Sequence, residues 1–154
     1  MKTNKSRAFS APKPVLLLAL LALVIVIMMV FHSNSHKSPY TGQPLESYAC
    51  SSLLQQYPLE ASKITISISN NGNLTHEFNQ PYLEFQKNGD WYEAKRNIPE
   101  DMTANLLSVF PEETRSFDVY LSEYAPYLSL GHYRAVFPCV ESADYLSFEF
   151  DIVK

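Results

Sequence analysis

The side chains that could do chemistry in this sequence are few, and none has the spacing of a known catalytic site. His76 and His132 lie 56 positions apart (132 − 76), and no Gly-x-Ser-x-Gly elbow accompanies them. A Ser–His–Asp triad therefore has no local signature here. Glu112-Glu113 follows Pro111, a setting typical of a solvated turn rather than of the paired carboxylates of a glycosidase. We predict a protein that is not an enzyme and that binds no cofactor.

Two cysteines, Cys50 and Cys139, are the remaining reactive groups. A disulfide between them would stabilise the fold by about 4–5 kcal/mol in the chain-entropy description. Two free thiols are equally compatible with the sequence, which leaves both alternatives open. Because there is no CxxC and no nearby pair of histidines, the cysteines give no zinc signature, and we predict no metal site.

Aromatic side chains are the one unusual component of the sequence, which has 10 tyrosines. Trp91, Tyr124 and Tyr127 could form an exposed patch that recognises a glycan or a protein, since such rings offer large contact area at low entropy cost. The alternative is that these rings pack within the fold. We expect packing, and a line of exposed aromatics would indicate recognition.

An apolar run, Val15–Phe31, determines where these groups are placed in the cell. Its 17 residues carry no charge, and four basic residues precede it, the last being Lys13. A helix of that length spans about 25 Å, near the lower limit for crossing a bilayer. The positive-inside rule then predicts a cytoplasmic N-terminus and an extracytoplasmic segment 38–154. A cleaved signal that releases a secreted domain is the alternative, but the run is longer than the usual signal core of about 7–15 residues.

Charge excludes one class of partner for the exported part. Residues 38–154 hold 7 basic and 16 acidic residues, so their formal charge is 7 − 16 = −9. A nucleic-acid binder needs clustered Lys and Arg, and we predict none here. The sequence divides into a basic tail (1–14), a transmembrane signal-anchor (15–31), a mobile stalk and lead-in (32–62) and a folded domain (63–154).

The folded domain shows the period of two that is typical of half-buried strands. Ile64–Ser69 alternates isoleucines with hydroxyl side chains, and Tyr145–Val153 alternates apolar with polar residues in the same way. Asn88-Gly89, between two β-rich flanks, predicts a type I′ hairpin turn because both residues tolerate positive φ. These patterns indicate an all-β protein, an antiparallel sandwich of about seven strands.

A family resemblance adds to this reading. Leu128, Gly131 and Tyr133 at the start of a late strand are similar to the tyrosine corner of immunoglobulin-like sandwiches, although Gly131 is only two residues before Tyr133. With the Asn88–Tyr92 hairpin, Lys63–Lys154 resembles a small bacterial immunoglobulin-like domain of exported or membrane-anchored envelope proteins. The resemblance implies a non-catalytic module for protein contact or structural support. It transfers no functional residues.

The resemblance also bears on Trp91. A two-residue Asn88-Gly89 loop places Trp91 on the face away from Phe85, whereas a three-residue loop that ends at Asp90 places it on the same face. The resemblance favours burial, so we expect Trp91 in the core. The partner remains an unknown envelope protein, or a cell-wall glycan if Trp91 is exposed.

Overall fold

Alternating apolar and polar side chains build the sheets of this protein. In a computed structural model, which describes residues 36–97 and 106–154, Ile64, Ile66 and Ile68 are at most 1% exposed, while Thr65 between them is exposed. A strand with one buried face and one solvated face requires a second layer, and the structure supplies it as a second sheet.

Ten strands occur in the described residues. They are β1 (Tyr48–Ser51), β2 (Gln56–Pro58), β3 (Ile64–Asn70), β4 (Glu77–Phe78), β5 (Tyr82–Lys87), β6 (Asp90–Glu93), β7 (Leu107–Ser108), β8 (Thr114–Val119), β9 (Gly131–Pro138) and β10 (Tyr145–Val153). A short 3₁₀ helix, Leu121–Tyr124, follows β8. The all-β prediction is confirmed for this part of the chain.

The strands form two main sheets. The larger has the order β2-β10-β9-β5-β6, the smaller has the order β1-β3-β8, and β4 pairs with β7 in a small third sheet. All pairs are antiparallel except β2 with β10, which is parallel. The core lies between the inner faces of the two main sheets and includes Ile66, Leu83, Phe137 and Phe150, each at most 1% exposed.

The sandwich begins earlier in the sequence than predicted. Residues 45–62 are not a lead-in or a helix: β1 joins the three-stranded sheet and β2 joins the five-stranded sheet. Tyr48 and Tyr57, 7% and 8% exposed, anchor these two strands in the core. The period of two was not visible there because each strand is only three or four residues long.

The predicted cytoplasmic tail and the predicted transmembrane segment Val15–Phe31 lie outside the described residues. Within residues 36–97 and 106–154, no helix is long and apolar enough to cross a bilayer. The anchor therefore stays a prediction from the sequence.

Candidate functional site

The β5–β6 hairpin places Trp91 on the outer face of the five-stranded sheet. Gln86 lies opposite Trp91 and Lys87 lies opposite Asp90, so the loop has two residues. They are Asn88-Gly89, at φ values of 55° and 86°, as a type I′ turn requires. The expectation that Trp91 joins the core was wrong. Burial of Trp91 requires a three-residue loop that ends at Asp90, and the two-residue loop shifts the register by one residue, which turns Trp91 to the outer face. Trp91 is half-buried.

The segment His36–Pro44, here called the strap, crosses this outer face. At one end the Ser38 backbone N–H donates to the Trp91 carbonyl over 2.9 Å. At the other end the Tyr145 hydroxyl donates to the Gly42 carbonyl. The prediction of a mobile stalk was wrong for these residues. Their polar composition has no strand period, yet their backbone groups are fixed by the sheet.

An ion pair lies beneath the strap. The Arg134 side chain on β9 is 5% exposed and the Glu84 side chain on β5 is 0% exposed, with 2.7 Å between Arg134 Nε and Glu84 Oε2. Arg134 Nη2 also donates to Ser38 Oγ over 3.2 Å and to the Tyr40 carbonyl over 2.9 Å. The strap thus supplies acceptors that a buried guanidinium needs once water is removed.

Aromatic rings flank this guanidinium. The Arg134 Cζ atom is 4.6 Å from the centroid of the Trp91 ring and 5.4 Å from that of Tyr145. Tyr40, from the strap, packs on Tyr145 with 4.9 Å between ring centroids. These cation–π and ring contacts hold the Trp91 indole in a fixed orientation on the sheet.

His132, next to Trp91, bridges two carboxylates of β10. Its Nδ1 is 2.8 Å from Asp151 Oδ1 and its Nε2 is 3.1 Å from Glu149 Oε2. Partial burial alone would lower the pKa of His132, but hydrogen bonds to the two carboxylates outweigh burial and raise that pKa. Both ring nitrogens are therefore used in holding β9 to β10.

A cleft of about 420 Å³ opens between these elements. The strap forms one wall, the β5–β6 hairpin forms the other, and the outer face of β9 and β10 forms the floor. Its polar and aromatic lining includes Thr41, Gln43, Asp90, Trp91, Ser147 and Glu149. Fixed walls of this kind can hold a small polar ligand against a ring.

The other predicted recognition aromatics do not join Trp91. Tyr124 is 1% exposed, and its hydroxyl accepts a hydrogen bond from the Leu83 backbone N–H over 3.0 Å. Burial raises the pKa of Tyr124 to about 12. Tyr127 is 48% exposed, and Lys95 Nζ lies 4.5 Å from its ring centroid. Tyr124 packs in the core, so the line of exposed aromatics that the recognition alternative requires does not form among these three residues.

Tyr133 takes the position expected of a tyrosine corner. It is 3% exposed, and its hydroxyl accepts a hydrogen bond from the Ser129 backbone N–H over 3.1 Å. The Ser129 hydroxyl lies 3.2 Å from the same oxygen. Gly131 begins β9, so the hydroxyl of Tyr133 is tied to the crossover that precedes this strand.

The chain also matches a known protein family. The sequence profile of the family described as "Bacterial Ig-like domain" matches residues 49–147. The chain belongs to this family. The resemblance predicted from Lys63–Lys154 is confirmed, and the match starts within β1, in agreement with the earlier start of the sandwich. Membership in the Ig-like family is typical of extracellular or envelope proteins that act in protein interaction, and its domains are generally non-catalytic.

Solved structures give a weaker likeness to this Ig-like domain. The periplasmic chaperone SfaE is 10% identical at a TM-score of 0.42, over 68% of this chain and 54% of the chaperone. A β-glucosidase, EmGH1 from Erythrobacter marinus, is 13% identical at a TM-score of 0.40, over 69% of this chain and 15% of the enzyme. The chain thus spans less than two thirds of either protein. A comparison with curated protein sequences gives no match.

Both cysteines of the Ig-like domain are free thiols, so the disulfide considered from the sequence does not form. Cys50 lies on β1 opposite Ile68, and burial raises the pKa of its thiol to about 12. Cys139 is buried after β9, with its Sγ 4.0 Å from His76 Nδ1. Among the described residues, no group of His, Cys, Asp or Glu could hold a metal ion.

A second surface of the Ig-like domain lies where the chain passes from one sheet to the other. Leu53 and Leu54, between β1 and β2, are 100% and 55% exposed. They line a groove of about 580 Å³ whose opposite wall carries the hydroxyl groups of Thr65, Ser67 and Ser116. Sequence analysis missed these leucines, since a pair of leucines in an ambiguous segment is usually assigned to a core.

Proposed function

We propose that this protein is an extracytoplasmic interaction module, held at the cell envelope by the apolar segment Val15–Phe31. The family supports an extracellular role in protein contact, and the basic residues before the apolar run support an exported domain. It acts by binding rather than by catalysis. Its partner is an envelope protein, and its contact surface is the groove beside Leu53 and Leu54.

The exposed leucines are the observation that carries this proposal. Leu53 is fully exposed and Leu54 is more than half exposed, although each could bury apolar area worth about 1.5–3 kcal/mol. The loop is held in place, since Ser52 Oγ donates to the Thr65 carbonyl over 2.7 Å. Adjacent exposed apolar side chains with a polar rim are typical of protein-binding surfaces.

Crosslinking in the native membrane tests the proposal. The tagged full-length protein is compared with a Leu53→Ser, Leu54→Ser double variant and with Leu74→Ser, a control that changes a leucine 62% exposed outside this groove. We expect a reproducible envelope protein to crosslink to the wild type and to Leu74→Ser, and to be lost from the double variant. Equal capture by all three would remove the groove from the account.

The same material tests the anchor. An intact N-terminus in the membrane fraction, measured by mass spectrometry, is the expected result. A protein in the medium that begins after Phe31 would favour the alternative, a secreted domain released by cleavage. A glycan partner is the remaining alternative, and the partial exposure of Trp91 supports it.

A further inference from the structure

We propose that the cleft between the strap and Trp91 is a binding site for a short neutral saccharide. The site lies on the outer face of the five-stranded sheet and shares no lining residue with the groove beside Leu53. It is therefore independent of the protein-contact surface proposed above, and either site can exist without the other.

The dimensions of the cleft suit a small ligand. Its volume of about 420 Å³ lies within the range of about 300–1,000 Å³ that is usual for ligand pockets. Its walls are held by the sandwich itself: the Gly42 carbonyl accepts from the Tyr145 hydroxyl, and the Trp91 carbonyl accepts from Ser38. A pre-formed cleft loses little conformational entropy when it binds.

The lining offers what a sugar ring needs on each side. The Arg134 guanidinium lies 4.6 Å and the His132 ring centroid 5.5 Å from the Trp91 ring centroid, so the indole is held rigidly. Trp91 is half-buried, and its exposed part offers the cleft an apolar surface. A pyranose presents apolar C–H groups to such a ring and hydroxyl groups to the polar wall. Glu149 and Gln43 can accept hydrogen bonds from those hydroxyls, and Thr41 can both donate and accept.

Charge selects a neutral ligand over an anionic one. Arg134 Nε and Nη2 are engaged by Glu84 and the strap, and Lys37 Nζ is paired with Asp90 Oδ1 over 2.9 Å. Each of these cations already has a carboxylate partner, and Glu149 adds negative charge at the floor, so the cleft disfavours a phosphate or a uronate. Residues 38–154, with a formal charge of 7 − 16 = −9, repel polyanions as a whole.

Trp91 is the single tryptophan of the chain, so intrinsic fluorescence reports on this cleft directly. The full-length protein in detergent micelles is titrated with chitotriose, with cellotriose, with the anionic trisaccharide trigalacturonate and with a neutral tripeptide. We expect a saturable change in Trp91 emission with a neutral trisaccharide, unaltered by added salt, and none with trigalacturonate. No saturable change with either neutral trisaccharide, or a change with the tripeptide alone, would overturn the proposal.

Two variants separate binding from folding. Glu149→Gln removes a charged acceptor and should weaken saccharide binding by about tenfold, whereas Glu141→Gln, an exposed acid outside the lining, should leave it unchanged. The Leu53→Ser, Leu54→Ser variant should bind saccharide like the wild type, so failure of one proposal is distinguishable from failure of the other. Equal affinity of the Glu149 and Glu141 variants would contradict the assignment of this floor residue.

Discussion

The outer faces of the two main sheets carry the same chemistry in opposite surroundings. On the five-stranded sheet, Glu84 and Arg134 form an ion pair whose side chains are 0% and 5% exposed beneath the strap. On the three-stranded sheet, Lys63 and Asp118 form a pair at 2.6 Å whose side chains are 49% and 30% exposed. The first face is covered by the chain itself, and the second is open to water.

Burial, more than distance, makes these two pairs different. Water screens the exposed pair, and such pairs contribute little to stability. The buried pair lost its hydration on folding, so each charge depends on the other and on the acceptors that the strap provides. The strap is thus a part of the fold, and residues that touch it should respond to mutation far more strongly than residues of the open face.

The largest expected effect is that of Arg134→Ala. The substitution leaves the Glu84 carboxylate buried without its partner, which should lower the free energy of unfolding by about 3–5 kcal/mol. Urea denaturation of the full-length protein measures this. The matched control is Lys63→Ala, which should leave the denaturation midpoint unchanged because its charge is in water. Similar losses for the two variants would end the distinction between the faces.

Tyr133→Phe should have the next largest effect. It compares the free energy of unfolding lost with one neutral hydrogen bond to that lost with the buried ion pair. The variant loses the bond between the Tyr133 hydroxyl and the Ser129 backbone, so we expect a loss of about 1–2 kcal/mol in unfolding free energy. Tyr127→Phe, at an exposed position, is the control. An unchanged midpoint for Tyr133→Phe would remove the tyrosine corner from the account.

Ser38→Ala tests the strap itself and should cost about 1 kcal/mol. Its hydroxyl accepts from Arg134 Nη2 and from the Tyr40 backbone N–H, and both donors lose a partner in the variant. Thr41→Ala, at an exposed strap position, should leave thermal unfolding unchanged. If both variants unfold like the wild type, the strap does not stabilise the ion pair.

The smallest expected effect is a dependence on pH. The pKa of His132 is raised by Asp151 and Glu149 above its ordinary value of 6.5, so folding favours the protonated imidazole. This stabilisation is fully present below about pH 6.5 and is lost as pH rises through the raised pKa. The difference in urea midpoint between wild type and His132→Asn should therefore be larger at about pH 5.5 than at about pH 8.5. An equal difference at both values would contradict the assignment.

The sequence predicted those elements that depend on local pattern. The alternation in β3 and β10, the Asn88-Gly89 turn and the position of Tyr133 all follow from neighbours within a few residues. The prediction for Trp91 is wrong because it follows the family resemblance and not the length of the turn. The turn alone, with two residues of positive φ, gives the correct face.

The strap and its ion pair could not be predicted in this way. Glu84 and Arg134 are 50 positions apart, and each lies at an outward position where an exposed charge is the ordinary expectation. Only the strap, which has no periodic pattern, converts that outer face into a covered one. The cleft beside Trp91 depends on the same segment, so it too was beyond the reach of local pattern.

Hydrogen exchange of the strap amides tests the central claim most directly. The claim is that residues 36–44 are part of the folded sandwich and cover its outer face. In the full-length protein, we expect the Ser38 amide, which donates to Trp91, to be protected to the same degree as the Glu93 amide, which donates to His36. Exchange of Ser38 at the rate of an unstructured peptide, with Glu93 unprotected as well, would contradict it.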